Sequence, residues 1–308
     1  MRVKILGSAA GGGFPQWNCA CHNCRAVRSG AFHGKARTQT QVAVTEDGRN
    51  WFLLGASPDL RAQIEATPEL QPRGGVRQSP IAGAVLANAD VDHVLGLLLL
   101  RELQPLRIHA TSSVRKILRD NSMFKMLERE VNQASWADIA PHESFSLLTP
   151  TDEESHLRCR ALSLGAHFPS YVDAARQSQL SSQESSLGLL IDAPSGKRLA
   201  YMPAVPMIDD ALLREFDSAD VLLFDGTFWS DDELIRIQGS GNTALQMGHV
   251  PVSSPEGSLR KLAGLRRPRK IYLHINNTNP MLDESGPEYR RVRDAGWEIA
   301  EDGWQFDL

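Results

Sequence analysis

The 308-residue chain has no excess of basic residues: 33 Lys and Arg stand against 37 Asp and Glu, a net charge of -4. It therefore has no polycationic surface, and a nucleic-acid partner has no electrostatic support. Long apolar runs are also missing. The longest, Val94 to Leu100, is far too short to span a bilayer, so no membrane partner is expected. The opening residues Met1-Arg2-Val3-Lys4-Ile5-Leu6-Gly7 lack the apolar core of a signal peptide, which makes a cytoplasmic setting the expectation. Cysteine is scarce, with four in the chain, and three of them (Cys19, Cys21 and Cys24) crowd together far from Cys159. This excludes a disulfide framework. In a reducing compartment a tight thiol cluster reads as a metal site, and Cys159 as a packing residue. The run Gly11-Gly12-Gly13 has neither the Lys-Ser/Thr of a phosphate loop nor the spacing of a dinucleotide fingerprint. It reads as a loop where backbones approach closely.

What is present is ordinary for a globular protein: 42% hydrophobic and 23% charged residues. Strands are expected at Val3 to Leu6 and in a hairpin of Gln41 to Val44 and Trp51 to Leu54 around Asp47-Gly48. Further strands are expected at Ile81 to Leu86, Leu106 to Ala110, Leu157 to Leu164, Leu187 to Ile191, Leu199 to Tyr201, Val221 to Phe224 and Ile271 to Leu273. Helical patterns open at Ser57-Pro58-Asp59 and cover Ser112 to Leu118, Met123 to Val131, Asp209 to Phe216, Pro255 to Leu265 and Glu288 to Ala295. The Ser- and Gln-rich stretch Asp173 to Ser186 reads as a mobile loop or lid. Hairpins come first and helices then alternate with strands, with no linker between two cores. The expectation is one α/β (α+β) domain over residues 1–308, with two sheets or one large mixed sheet covered by helices.

The chemistry-bearing letters gather where strands end. Val85-Leu86-Ala87-Asn88-Ala89-Asp90-Val91-Asp92-His93 brings carboxylates and an imidazole to a strand-to-helix junction. A plain helix cap by Asp90 or Asp92 is the alternative. The same pattern recurs at Gly165-Ala166-His167, Asp225-Gly226-Thr227 and His274-Ile275-Asn276-Asn277. Four strand ends each presenting Asp or His is more than packing requires, and strand C-terminal edges are where α/β folds build sites.

These motifs, in this order, resemble the metallo-β-lactamase fold superfamily over nearly the whole chain. The resemblance implies a metallo-β-lactamase-like αββα sandwich of two mixed β-sheets flanked by helices. The superfamily's H-x-H-x-D-H motif is here Asn88-x-Asp90-x-Asp92-His93, and its later ligands fall on His167, Asp225 and His274. His249 matches the extra histidine of phosphodiesterase-like members, unless it merely caps the helix near Pro255. Within the superfamily, the Cys-x-Cys-x-x-Cys run at 19–24, the Asn-Ala-Asp-Val-Asp-His stretch and His-Ile-Asn-Asn-Thr-Asn-Pro are distinctive of a family in the pathway that makes pyrroloquinoline quinone (PQQ) from a Glu- and Tyr-containing peptide. The implied roles are iron-dependent hydroxylation of the tyrosine ring, or carriage of the cofactor or a precursor.

Asn88 and Asp90 replace two imidazoles of the first metal site, and an amide oxygen is a weak ligand. The second site keeps its set by carry-over: Asp92, His93, His274 and the bridging Asp225. Two histidines with carboxylates suit a non-haem Fe(II) centre, although Zn(II), Mn(II) or Cu(II) fit the same donors. An oxygenase using O2 on the precursor peptide or an excised Glu-Tyr unit is thus expected ahead of a zinc hydrolase or a PQQ carrier. His249, and after it His167, would move protons, with Asp90 as ligand or as orienter of a histidine. The cysteine trio suits a structural Zn(II) whose fourth ligand is Asn277 or His22, free thiols being the alternative. Oligomeric state stays open, a homodimer included.

Overall fold

The computed structural model describes residues 1–131 and 133–308. The chain divides into two compact units, each assembled from separate stretches of sequence. Met1–Leu6, Gln41–Lys197 and Gly303–Leu308 make the first, and Gly7–Thr40 with Arg198–Asp302 the second.

The first unit carries a sheet whose strands follow one another in sequence order. These are β1 (Arg2–Gly7), β2 (Gln41–Thr45), β3 (Trp51–Leu54), β4 (Ile81–Val85), β5 (Leu106–Ala110) and β6 (Ala134–Asp138), with the C-terminal strand Gln305–Asp307 beside β1. β2 and β3 form the expected antiparallel hairpin, and β3 through β6 run parallel. Parallel strands are covered on both faces and so read as continuous apolar runs. All five residues of β4 are buried. Three antiparallel strands complete the unit: β7 (Ser144–Leu148), β8 (Glu154–Gly165) and β9 (Ser186–Asp192). Leu53, Ala84, Leu97, Ile108, Leu118 and Leu127 belong to one buried core.

Three expectations in this unit change. The leucine-dense stretch is α-helical only over Val91–Val94 and continues as a 3-10 helix over Leu95–Leu100. Gly96 explains the tightness: a Cβ there would lie 2.2 Å from the Ser57 carbonyl oxygen, so this backbone is pressed against its neighbour. Met123 to Val131 is a 3-10 segment, Ser122–Glu128, in which Phe124 and Leu127 are buried at the three-residue period of that helix. The stretch expected as a mobile loop or lid, Asp173 to Ser186, is mostly exposed but not wholly irregular. It holds short helical turns at Ala174–Gln177 and Ser182–Glu184, and Glu184 accepts hydrogen bonds from Ser113 N (2.8 Å) and Ser113 Oγ (2.7 Å).

In the second unit, β10 (Arg198–Met202), β11 (Val221–Asp225), β12 (Arg269–Leu273) and β13 (Trp297–Ile299) are parallel and adjacent in that order. Helix Asp210–Asp217 begins at an Asp209 carboxylate accepting from Leu212 N at 2.8 Å. Tyr272 stacks on Trp297 at 4.0 Å between ring centroids, and Phe224 meets both edge-on. The helix expected over Pro255 to Leu265 is shorter, Ser258–Lys261. It starts after Gly257, where a Cβ would lie 2.7 Å from three backbone atoms of the preceding turn. Two mixed β-sheets flanked by helices are the fold class read from the sequence. Among the described residues, no helix is long and apolar enough to cross a membrane.

Candidate functional site

In the first unit β4 delivers Asn88 to His93. The helix-cap alternative fails for Asp90: it stands at the N-cap position with no side-chain capping hydrogen bond. Its carboxylate turns to His167, whose Nε2 is 3.3 Å away. Asn88 is buried, and its Oδ1 accepts from Asp90 N at 3.1 Å. His93 is buried too, with Nε2 4.0 Å from Asp92 Oδ2. Its backbone carbonyl accepts from Ala56 N at 2.7 Å, and a Cβ on Gly55 would lie 3.3 Å from its Nδ1. The hydrogen bond to Asp90 raises the His167 pKa above its ordinary value, burial opposing, with Asp92 adding to the rise. The Tyr171 hydroxyl donates to Ala89 O, and burial beside Asp90 pushes its pKa up to about 12.

In the second unit, one ligand atom from each of Asp225, His249 and His274 lies within 4.8 Å of the others. Asp225 ends β11, fully buried. Its Oδ1 accepts from Thr227 N (3.0 Å) and Thr227 Oγ1 (2.6 Å), and its Oδ2 from Val205 N (2.9 Å) and His249 Nδ1 (2.8 Å). Burial alone would push this carboxyl up, but His249, His274 and Thr227 outweigh it and hold the pKa below the usual carboxylate range. The His249 and His274 rings stack at 5.4 Å. The Asp225 contact answers the capping alternative for His249, since its ring is turned to the carboxylate and the nearby helix begins at Gly257. His274, at the end of β12, has φ 57, a left-handed conformation that costs a non-glycine residue and is characteristic of functional sites.

The same unit holds the cysteines. Cys19, Cys21 and Cys24 each bring Sγ within 4.8 Å of the others. Cys21 opens helix His22–Ser29, its Sγ accepting from Cys24 N at 3.5 Å. Asn277 Nδ2 lies 3.2, 3.7 and 3.3 Å from the sulfurs of Cys19, Cys21 and Cys24 respectively. His22 is exposed. Of the two candidates for a fourth ligand, Asn277 is the one placed on the sulfurs. Burial and the neighbouring sulfurs push the Cys21 thiol up to about 12, whereas hydrogen bonds outweigh burial at Cys19 and lower it. One thiolate is accommodated and a second resists forming beside it. A divalent cation removes that penalty, so the donor set fits Zn(II). Cys159 is buried, as expected of a packing cysteine.

Sequence reasoning missed Thr227, which reads as an ordinary turn residue after Asp-Gly but whose hydroxyl touches Asp225, His249 and His274. It also missed Glu233, buried at the start of helix Glu233–Gln238. Burial pushes this carboxyl up to about 7 while Thr278 Oγ1 and Trp229 N donate to it.

A family model described as a beta-lactamase superfamily domain matches residues 50–275. The chain is 42% identical to coenzyme PQQ synthesis protein B of Methylobacterium sp. (strain 4-46) over 308 residues, 100% of each chain. It is 39% identical over 311 residues, again 100% of each, to the protein of the same name from Xanthomonas oryzae pv. oryzae (strain MAFF 311018). Among solved structures, the Zn2+-bound PqqB from Methylobacterium extorquens matches with a TM-score of 0.91 at 40% identity, covering 100% of both chains.

Proposed function

The chain belongs to the coenzyme PQQ synthesis protein B family within the beta-lactamase superfamily, and on that premise we propose that it serves PQQ biosynthesis as a metal-dependent oxygenase. Its substrate is the tyrosine ring of the precursor peptide or of an excised Glu-Tyr unit, and its oxidant O2. One oxygen atom enters a ring C–H bond. The other leaves as water, with two electrons from a reductant and two protons.

The observation that carries this reading is the state of Asn88 and Asp90. The Asn88 amide oxygen is engaged by Asp90 N, and the Asp90 carboxylate by His167. Groups standing where a dinuclear zinc hydrolase has two imidazoles are thus an amide whose oxygen is engaged by the backbone and a carboxylate turned to His167. That weakens the first metal position and favours chemistry at one metal.

In the second unit Asp225 and His274 are donors that would suit an Fe(II), and in the first, taken by itself, Asp92 and His93 are donors of the same kind. When bound, the metal supplies O2 activation. The residues themselves supply placement and proton handling. Asp225 holds His249 by Nδ1 at 2.8 Å, so Nε2 is the ring nitrogen that would take or return the phenol proton. Asp90 orients His167 through the other ring nitrogen, Nε2, at 3.3 Å. The cysteine trio with Asn277 would hold a structural Zn(II), and its reduced thiols suit a cytoplasmic setting.

The test is anaerobic reconstitution with Fe(II), followed by O2, a chemical reductant and a Glu- and Tyr-containing peptide. Mass spectrometry should find one oxygen atom added to the tyrosine. An unmodified peptide, together with phosphodiester cleavage by the Zn(II)-loaded protein, would replace this reading with the hydrolase. Tight PQQ binding without either reaction would replace it with the carrier.

A further inference from the structure

We propose that Thr227 is a positioning residue that fixes His274 as its Nδ1–H tautomer and so presents the Nε2 lone pair for metal ligation. The ligation half rests on the metal reading above, and the tautomer half does not.

The number of protons available at Thr227 fixes the tautomer. Thr227 Oγ1 lies 2.6 Å from Asp225 Oδ1, 2.8 Å from His274 Nδ1, 2.9 Å from His274 O and 3.1 Å from His249 Nδ1. A hydroxyl has one proton to give and two lone pairs to receive. Asp225, ionised, can only accept. At 2.6 Å two facing lone pairs would repel, so the threonine proton goes to Asp225 Oδ1, the shorter and charged contact. Asp225 Oδ1 and His274 O both only accept, so whichever of them takes the single threonine proton, Oγ1 offers only lone pairs to the His274 ring. At 2.8 Å the Nδ1 of His274 must be the donor, which makes the ring Nδ1–H.

His249 is fixed independently, since its Nδ1 donates to Asp225 Oδ2 at 2.8 Å. Thr227 is itself held. Its N–H donates to Asp225 Oδ1 at 3.0 Å, and its carbonyl accepts from Asn276 N at 3.1 Å and Asn279 Nδ2 at 3.3 Å. A free imidazole in water favours the opposite tautomer, Nε2–H. Thr227 therefore does something the solvent would not. Partners of this kind set both the orientation and the basicity of a ligating histidine.

Long-range 1H–15N correlation spectra of metal-free, 15N-labelled protein read the tautomer directly, with His274→Gln identifying the signal. The wild type and Thr227→Ser should give Nδ1–H at His274. Thr227→Val, which keeps the shape and removes the hydroxyl, should show the Nε2–H form. Zn(II) affinity at this cluster, measured by chelator competition with the cysteine cluster already loaded, should fall about tenfold to a hundredfold in Thr227→Val and stay near wild type in Thr227→Ser. An Nε2–H ring in the folded wild type overturns the proposal. So does a Thr227→Val protein that keeps both the Nδ1–H ring and wild-type affinity. If Thr227→Val does not fold, the wild-type and Thr227→Ser spectra still decide the tautomer. A wild type with the Nδ1–H ring that takes no metal at this cluster refutes the metal reading and supports the tautomer.

Discussion

The side-chain nitrogen of Asn277 stands 3.2 Å from Cys19 Sγ and 3.3 Å from Cys24 Sγ, on the loop that begins at His274. Its backbone is pinned there, because Asn23 Nδ2 donates to both Asn277 O and Asn279 O at 3.1 Å. Exchanging the amide nitrogen and oxygen, a rotation that changes nothing else, puts an oxygen donor over the three sulfurs. Asn277→Ala should therefore weaken Zn(II) at the cysteines by about tenfold or more, and Asn277→His should strengthen it, imidazole being the better zinc ligand. Chelator competition on the purified proteins gives the order. Equal affinities in all three would mean that another group fills the fourth position.

His109 on β5 is buried, stacked on Phe145 at 5.6 Å, and neither ring nitrogen has a hydrogen-bond partner. Burial, with Arg107 adding to it, lowers its pKa from 6.5 to about 4. The unfolded chain therefore takes up this proton first as the pH falls. Stability is complete above pH 6.5 and is lost on descending towards 4, by about 3 kcal/mol in all. His109→Phe has no such proton. Urea melts near neutrality and near pH 4 should show the wild type losing about that much more than the variant. Parallel losses would mean that the ring finds a partner in solution.

Gly55 has φ 81, and a Cβ there would lie 3.3 Å from His93 Nδ1. Gly196 has φ 77 with nothing within 4 Å. Alanine at either position takes on the left-handed penalty of about 1–2 kcal/mol. Gly55→Ala must also displace His93. Both variants should melt lower by calorimetry, Gly55→Ala more so, and Gly55→Ala alone should take up less active-site metal. A Gly55→Ala protein equal to Gly196→Ala in both readouts would show that His93 has room to move.

The strand-end positions of the candidate site were legible because apolar runs such as Ile81 to Ala87 and Val221 to Phe224 are buried throughout and stop abruptly at polar letters. Edge strands were harder. β6 and the C-terminal strand Gln305–Asp307 are at most half-buried, so no strict alternation marks them. Thr227 was illegible for a different reason. Its role depends on Asp225, His249 and His274 converging from three separate stretches of chain, and no local spacing encodes that meeting. Asn277 was found only as one of two candidates, because its contact with the thiols spans more than 250 residues of sequence.

By the superfamily resemblance Asn88, Asp90 and His167 would fall on the three positions of a first metal, and in this chain the latter two are in contact at 3.3 Å. On this reading the donor atoms, an amide and a carboxylate, are what would separate this chain from a dinuclear zinc protein. Replacing the amide and the carboxylate with imidazoles, in the double variant Asn88→His and Asp90→His, restores three nitrogen donors at neighbouring positions. The variant should bind about one more Zn(II) per chain than the wild type by elemental analysis. With a second metal in place it should lose tyrosine oxygenation and gain phosphodiester cleavage. An unchanged metal count in a folded variant would mean that the backbone from Asn88 to Asp90 cannot turn two imidazoles toward His167. The amide and carboxylate would then be a consequence of the loop's shape rather than the cause of its chemistry.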